Sequence, residues 1–275
     1  MIDVLLSFAQ KAGKKLKLMQ KNVEQIRLKE ASVASLVTKA DIYVSNLFEK
    51  TIKQHFSHLN YMIIDEEKIS KYGDNIFDKI NNTEYQFVID PIDGTVQYAN
   101  HHPLYGISIG VYKNAKPLMG IIYLPSLNEL IYFDGDKAYH TENCFKKNEI
   151  KTELLPKENS NSQIVFLHSW MWKLKPRYSL EKALFFNYFS AVSQSFYALT
   201  GKAKAYCMNL KLWDIAGTIP IANYLGMKIY EYGSSKIYDK ISPEFFNSDM
   251  SVKNHCIMCY PSEYEEICSL VEPQK

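Results

Sequence analysis

Apolar residues recur every three or four positions at Ile2, Leu5, Ala9, Ala12, Leu16 and Met19, a spacing that predicts an amphipathic helix. The stretch from Arg27 to Ser35, which carries Lys29, has no period and reads as a connection. A second helix is expected after Leu36-Val37-Thr38-Lys39-Ala40-Asp41, with Val44, Leu47, Phe48 and Ile52 on its apolar face. Short apolar runs then predict strands at 61–64 and 85–89, followed by an antiparallel meander at 105–112, 118–123 and 129–133. The polar region 146–162 contains Pro156 and reads as a junction between two halves. Beyond it the pattern predicts a strand at 164–167, a helix from about Ser190 to Gly201, one from Leu212 to Gly226, and a strand at 256–260. A last helix is expected from Ser262, with Glu265 completing a capping box.

Two of these strands end in acids. The run 61–64 enters Asp65-Glu66-Glu67, and the run 85–89 enters Asp90-Pro91-Ile92-Asp93-Gly94-Thr95. An acidic triplet is ordinarily a solvated loop, but α/β proteins place their chemistry at the carboxyl ends of strands. Two such ends side by side would concentrate negative charge, which is costly unless cations occupy the gap. Gly94-Thr95 adds a hydroxyl and backbone amides that could face an anion if a helix begins there. Asp41 either pairs with Thr38 in a helix-start capping box or lies near a metal, and Asp214 either caps its helix or serves the site.

Composition narrows the class. The chain has 275 residues, 47% of them hydrophobic, enough for a substantial core. Its 32 basic and 30 acidic residues leave a net charge of +2, so no overall field calls for nucleic acid. No apolar run approaches the roughly 20 residues of a membrane span, and a cytoplasmic location is the default expectation. Five unevenly spaced cysteines suit free thiols in a reducing compartment. Cys256 and Cys259 form one CxxC inside an apolar run, with no second pair to complete a zinc site.

The Leu36–Asp41 segment, Glu66-Glu67, Asp90-Pro91-Ile92-Asp93-Gly94-Thr95 and Trp213-Asp214-Ile215-Ala216-Gly217 occur in one order. Together they resemble the inositol monophosphatase family of magnesium-dependent, lithium-sensitive phosphatases. The resemblance implies an α+β fold, a layered αβαβα sandwich of the sugar-phosphatase type. Its N-terminal α+β half would span 1–155 and its C-terminal α/β half 156–275, with a cleft between them. It also implies two to three Mg2+ ions, held by Glu66, Asp90, the Ile92 carbonyl, Asp93 and Asp214. Glu66 and Thr95 would orient the attacking water, supported by Asp41. Asp93, Gly94, Thr95, Ser190, Ala191, Cys207 and Asp214 would face a small phosphate monoester. Glu67 and Lys29 fall near family positions, and a homodimer is consistent with the family.

The departures concern substrate. Family members carry an acid six positions before the Trp-Asp pair, where this chain has Cys207, or Met208 if a gap intervenes. A Gly-Ser pair usual at the start of the preceding helix is missing, with Ser190-Ala191 nearest. Val96-Gln97-Tyr98 differs from the Lys-Glu-Phe type of the 3′(2′),5′-bisphosphate nucleotidases. Three readings stand: a phosphatase of a small polyol, sugar or amino-alcohol phosphate, a bisphosphate nucleotidase, or a silent binding protein that keeps the fold. Among the 20 tyrosines, Tyr98, Tyr105 and Tyr206 are candidates for a pocket.

Overall fold

The amphipathic stripe at the N-terminus folds as α1 (Ile2–Gln20), buried through Leu5, Phe8, Ala9, Ala12, Gly13 and Leu16. The computed structural model describes residues 1–21, 25–28, 36–168, 182–234 and 236–271, so Lys29 lies outside the described residues. A two-stranded antiparallel hairpin, β1 (Gln25–Leu28) and β2 (Leu36–Thr38), leads into α2 (Lys39–Phe56). The two helices meet through Phe8 and Phe48, edge to face at 5.1 Å between ring centroids. A Cβ on Gly13 would stand 2.3 Å from the Tyr123 ring, so this glycine lets α1 rest on the sheet beneath it.

That sheet has seven strands: β3 (Tyr61–Asp65), β4 (Tyr85–Asp93), β5 (Gly106–Lys113), β6 (Lys116–Leu124), β7 (Glu129–Phe133), β8 (Ala138–Glu142) and β9 (Ile150–Leu154). They pair in sequence order, β3 parallel to β4 after the short helix α3 (Ile76–Asn81), and the rest as an antiparallel meander. The meander therefore extends two strands beyond the three expected, and β9 begins inside the stretch read as a junction. Alternating residues explain both faces: Phe87 and Ile89 pack under α1 and α2, and Val88 faces the opposite core.

A second sheet holds five strands in the order β11 (Leu184–Phe186), β10 (Ile164–Leu167), β12 (Ala205–Met208), β14 (Cys256–Cys259), β13 (Lys228–Glu231). Between the sheets lie α5 (Ala191–Leu199), α6 (Leu212–Ala216) and α7 (Thr218–Leu225), and α8 (Tyr264–Leu270) covers the outer face. The result is the expected αβαβα layering, an α+β arrangement.

Local details differ from the sequence pattern. The stretch from Leu212 to Gly226 is two helices broken at Gly217, because the chain presses onto the first sheet there. A Cβ on Gly217 would lie 2.4 Å from the Ile121 carbonyl, and one on Gly110 would lie 2.4 Å from the Ala216 carbonyl. The capping box at Ser262 and Glu265 is absent. The chain first makes a 3-10 turn at Pro261–Glu263, and the Ser262 hydroxyl instead donates to the Glu158 carbonyl at 2.7 Å. Cys256 and Cys259, three apart on a strand, point to opposite faces and join different cores, so the CxxC cannot chelate. All five cysteines are free thiols.

Candidate active site

β3 and β4 run parallel with Asp65 opposite Ile89, so Glu66 and Asp90 emerge side by side at the same end. Regular alternation would send Asp90 and Asp93 to opposite faces of β4. The pairing with β5 prevents that: Asp90 is opposite Ser108 and Asp93 opposite Gly106, leaving one extra residue on β4. This bulge contains Pro91, which has no N–H to give to the ladder, and it turns both aspartates to one side. The Ile92 amide donates to Asp90 Oδ1 at 3.0 Å and closes the bulge.

Asp214 arrives from the other sheet's side. It sits in the first turn of α6, where its Oδ2 accepts from the Lys211 amide at 2.8 Å. The glycine contacts at Gly110 and Gly217 bring α6 close enough for this carboxylate to reach β4. One oxygen each from Asp90, Asp93 and Asp214 then lie within 4.8 Å of one another. Asp90 and Asp93 are buried, and Asp214 is partly exposed.

Three acids this close repel one another. Burial, then Glu66, Asp93 and Asp214, push Asp90 well above the usual carboxylate range. Burial raises Asp93 to about 6 against the donors Ser190, Val192 and Ala191. Burial followed by Asp93 and Glu66 raises Asp214 to about 8. An all-oxygen donor set with unfavourable negative charge is what a hard divalent cation would complete, so the residues fit magnesium. Glu66 borders the same cluster through Asp90, and the Ile92 carbonyl accepts from the Thr95 hydroxyl at 2.9 Å.

The next turn uses Gly94, whose φ of +81° only glycine adopts freely, as the N-cap of α4 (Thr95–Ala99). Thr95 Oγ1 lies 3.1 Å from Asp41 Oδ1. Asp41 Oδ2 meanwhile accepts from the Thr38 amide at 2.8 Å and the Thr38 hydroxyl at 2.5 Å. The two readings of Asp41 are thus compatible: one oxygen caps α2 and the other reaches the β4 turn.

Asp93 Oδ2 accepts from the Ser190 hydroxyl and, at 2.8 Å, from the Val192 amide, so the carboxylate caps α5. Ser190 and Ala191 therefore stand at the cluster. Cys207 does not. It is fully buried on the outer face of β12, in the core that includes Ile257, Cys259 and Ile267, whereas Tyr206 and Met208 face the inner layer. The expectation that Cys207 meets substrate is corrected by this strand register. Tyr98 and Tyr105 are fasteners: the Tyr98 hydroxyl donates to the Leu16 carbonyl at 3.0 Å, and the two rings meet edge to face.

Asp65 escaped a role in the sequence reading. Its Oδ2 accepts from the Ser45 hydroxyl at 2.6 Å and its Oδ1 from the Glu67 amide at 2.9 Å. It caps the 3-10 turn that carries Glu66, a signal legible only as an acid preceding two others. Glu67 occupies that same turn.

A sequence model described as the inositol monophosphatase family matches residues 1–272. The chain is 22% identical over 275 residues to a fructose-1,6-bisphosphatase/inositol-1-monophosphatase of Thermotoga maritima, covering 97% of this chain and 98% of that protein. It is 26% identical over 243 residues to the Nus factor SuhB of Vibrio cholerae, covering 86% and 87%. Among solved structures, an IMPase/NADP phosphatase complexed with Mg2+ and phosphate superposes with a TM-score of 0.74 at 16% identity, covering 99% of this chain and 95% of that one.

Proposed function

The chain belongs to the inositol monophosphatase family, and from that premise we propose that it is a magnesium-dependent phosphatase acting on a small phosphate monoester. The observation that carries the reading is the trio Asp90, Asp93 and Asp214, with three oxygens inside 4.8 Å. Those three, with Glu66 and the Ile92 carbonyl, would hold two to three ions. Bound magnesium supplies positive charge against which an anionic phosphate and its departing oxygen are stabilised.

The protein's own groups do the rest. Asp93 Oδ2 accepts from the Ser190 hydroxyl and the Val192 amide, which fixes the plane of the carboxylate beside Asp90 and Asp214. Thr95 Oγ1 can accept a proton from a water beside it while releasing its own to Asp41 Oδ1 at 3.1 Å. Glu66, at the end of β3, would help orient the same water. The Gly94 and Thr95 amides at the start of α4 would cradle the phosphate. The protein acts in this reading as a soluble small-molecule enzyme of the cytoplasm, and a homodimer is its proposed assembly.

Phosphate release from inositol, sugar and amino-alcohol phosphates, with and without magnesium, tests the proposal. Magnesium-dependent release from at least one ester is expected. A folded protein that binds magnesium and releases phosphate from none would instead support a binding role.

A further inference from the structure

Phe189 directly precedes the serine that holds Asp93, yet its side chain is 63% exposed and its φ is +54°. A bulky side chain in the left-handed region is an outlier that costs on the order of 1 kcal/mol or more, and it persists only where neighbours over-determine the backbone. Two side chains do so here. Asn187 Oδ1 accepts from the Phe189 amide at 2.7 Å, and Gln194 Oε1 accepts from the Tyr188 amide at 3.0 Å.

This turn lies on the candidate phosphate end of the site. The Tyr188 carbonyl accepts from Gln97 Nε2 at 3.4 Å, and a Cβ on Gly94 would stand 3.1 Å from Ser190 Cβ. The left-handed residue before the N-cap serine is Phe189, at a position glycine would fill without strain. An exposed aromatic thus stands where glycine would be unstrained. On β12, the acid expected for polyol hydroxyls is replaced by Cys207, turned into the outer core, or by Met208, an apolar side chain of the inner layer. Recognition has lost a hydrogen-bonding acid and gained a flat apolar surface.

The geometry points to Phe189 as a specificity-determining residue that stacks on an aromatic ring carried by the leaving group of the phosphate ester. The inference rests on the phosphatase reading and gives it a substrate class: ring-bearing phosphates, such as nucleoside phosphates, over open-chain polyol phosphates. Base-on-aromatic stacking is worth about 1–3 kcal/mol, which corresponds to roughly five- to 150-fold in affinity or kcat/KM.

The test compares wild type, Phe189→Gly and Phe189→Tyr on adenosine monophosphates and on glycerol 2-phosphate, with magnesium present. Glycine suits the backbone, so Phe189→Gly should melt no lower than wild type. The expected result is a wild-type preference for the adenosine esters that falls about tenfold or more in Phe189→Gly and returns in Phe189→Tyr. Equal effects on both ester types, or none, would overturn the inference while leaving the phosphatase reading intact. Calorimetric binding of adenosine 5′-monophosphate and glycerol 2-phosphate to the same proteins gives an independent readout. There, a ring preference lost in Phe189→Gly supports the inference even if no ester is turned over, and an unchanged preference contradicts it.

Discussion

Thr95 Oγ1 and Asp41 Oδ1 stand 3.1 Å apart, joining the first turn of α2 to the turn that ends β4. The contact couples a helix cap to the chemistry, because the other oxygen of Asp41 closes the capping box with Thr38. Asp41→Asn should therefore lower both stability, by about 1 kcal/mol for the weakened cap, and turnover. Thr95→Ala should lower kcat by about a hundredfold or more with little loss of stability. In the double variant the losses in turnover should be less than additive, and independent effects would mean that the pair does not act as a unit.

The ion-free protein should lose stability as pH rises. Asp93 at about 6, Asp214 at about 8 and Asp90 above its usual range all take up protons more readily folded than unfolded. Their contribution is fully present below about pH 4 and is lost as pH climbs through these values. Melts in a chelator should fall by on the order of 5–10 °C between pH 5 and pH 9, and magnesium should remove most of that slope. A chelated protein whose melting point is flat over this range would show that the three acids are not held together.

Gly217→Ala should act on the site from a distance. Its Cβ would enter within 2.4 Å of the Ile121 carbonyl, forcing α6 and Asp214 away from β4. A destabilisation of about 1–3 kcal/mol is expected, together with a higher magnesium concentration for half-maximal activity. Unchanged magnesium dependence in a destabilised variant would separate the close packing from the placement of Asp214.

Much of this arrangement was readable from the chain. The parallel ends of β3 and β4 followed from two apolar runs finishing in acids, and the central motif announced its own turn through Pro91 and Gly94. What could not be read depended on pairing between distant strands. The three-residue spacing of Asp90 and Asp93 becomes one-sided only through a bulge against β5, whose register the local sequence does not contain. Cys207 was expected to face substrate from the family resemblance, and only the pairing of β12 with β10 and β14 decides which face it takes. Phe189 carried no local signal for a left-handed backbone, since the hydrogen bonds that the Phe189 and Tyr188 amides donate to Asn187 and Gln194 impose it. Ser262 and Glu265 matched a capping box, but Pro261 opened a 3-10 turn first and a tertiary bond claimed the serine.

In the proposed function, Asp90, Asp93 and Asp214 together hold the ions that make this protein a phosphatase. The most direct measurement is magnesium binding by calorimetry alongside phosphate release, in wild type and in Asp90→Asn, the acid in hydrogen-bond contact with both Glu66 and Asp214. The account predicts that the variant stays folded, binds magnesium at least tenfold more weakly and loses nearly all release. Wild-type magnesium affinity and turnover in Asp90→Asn would contradict it.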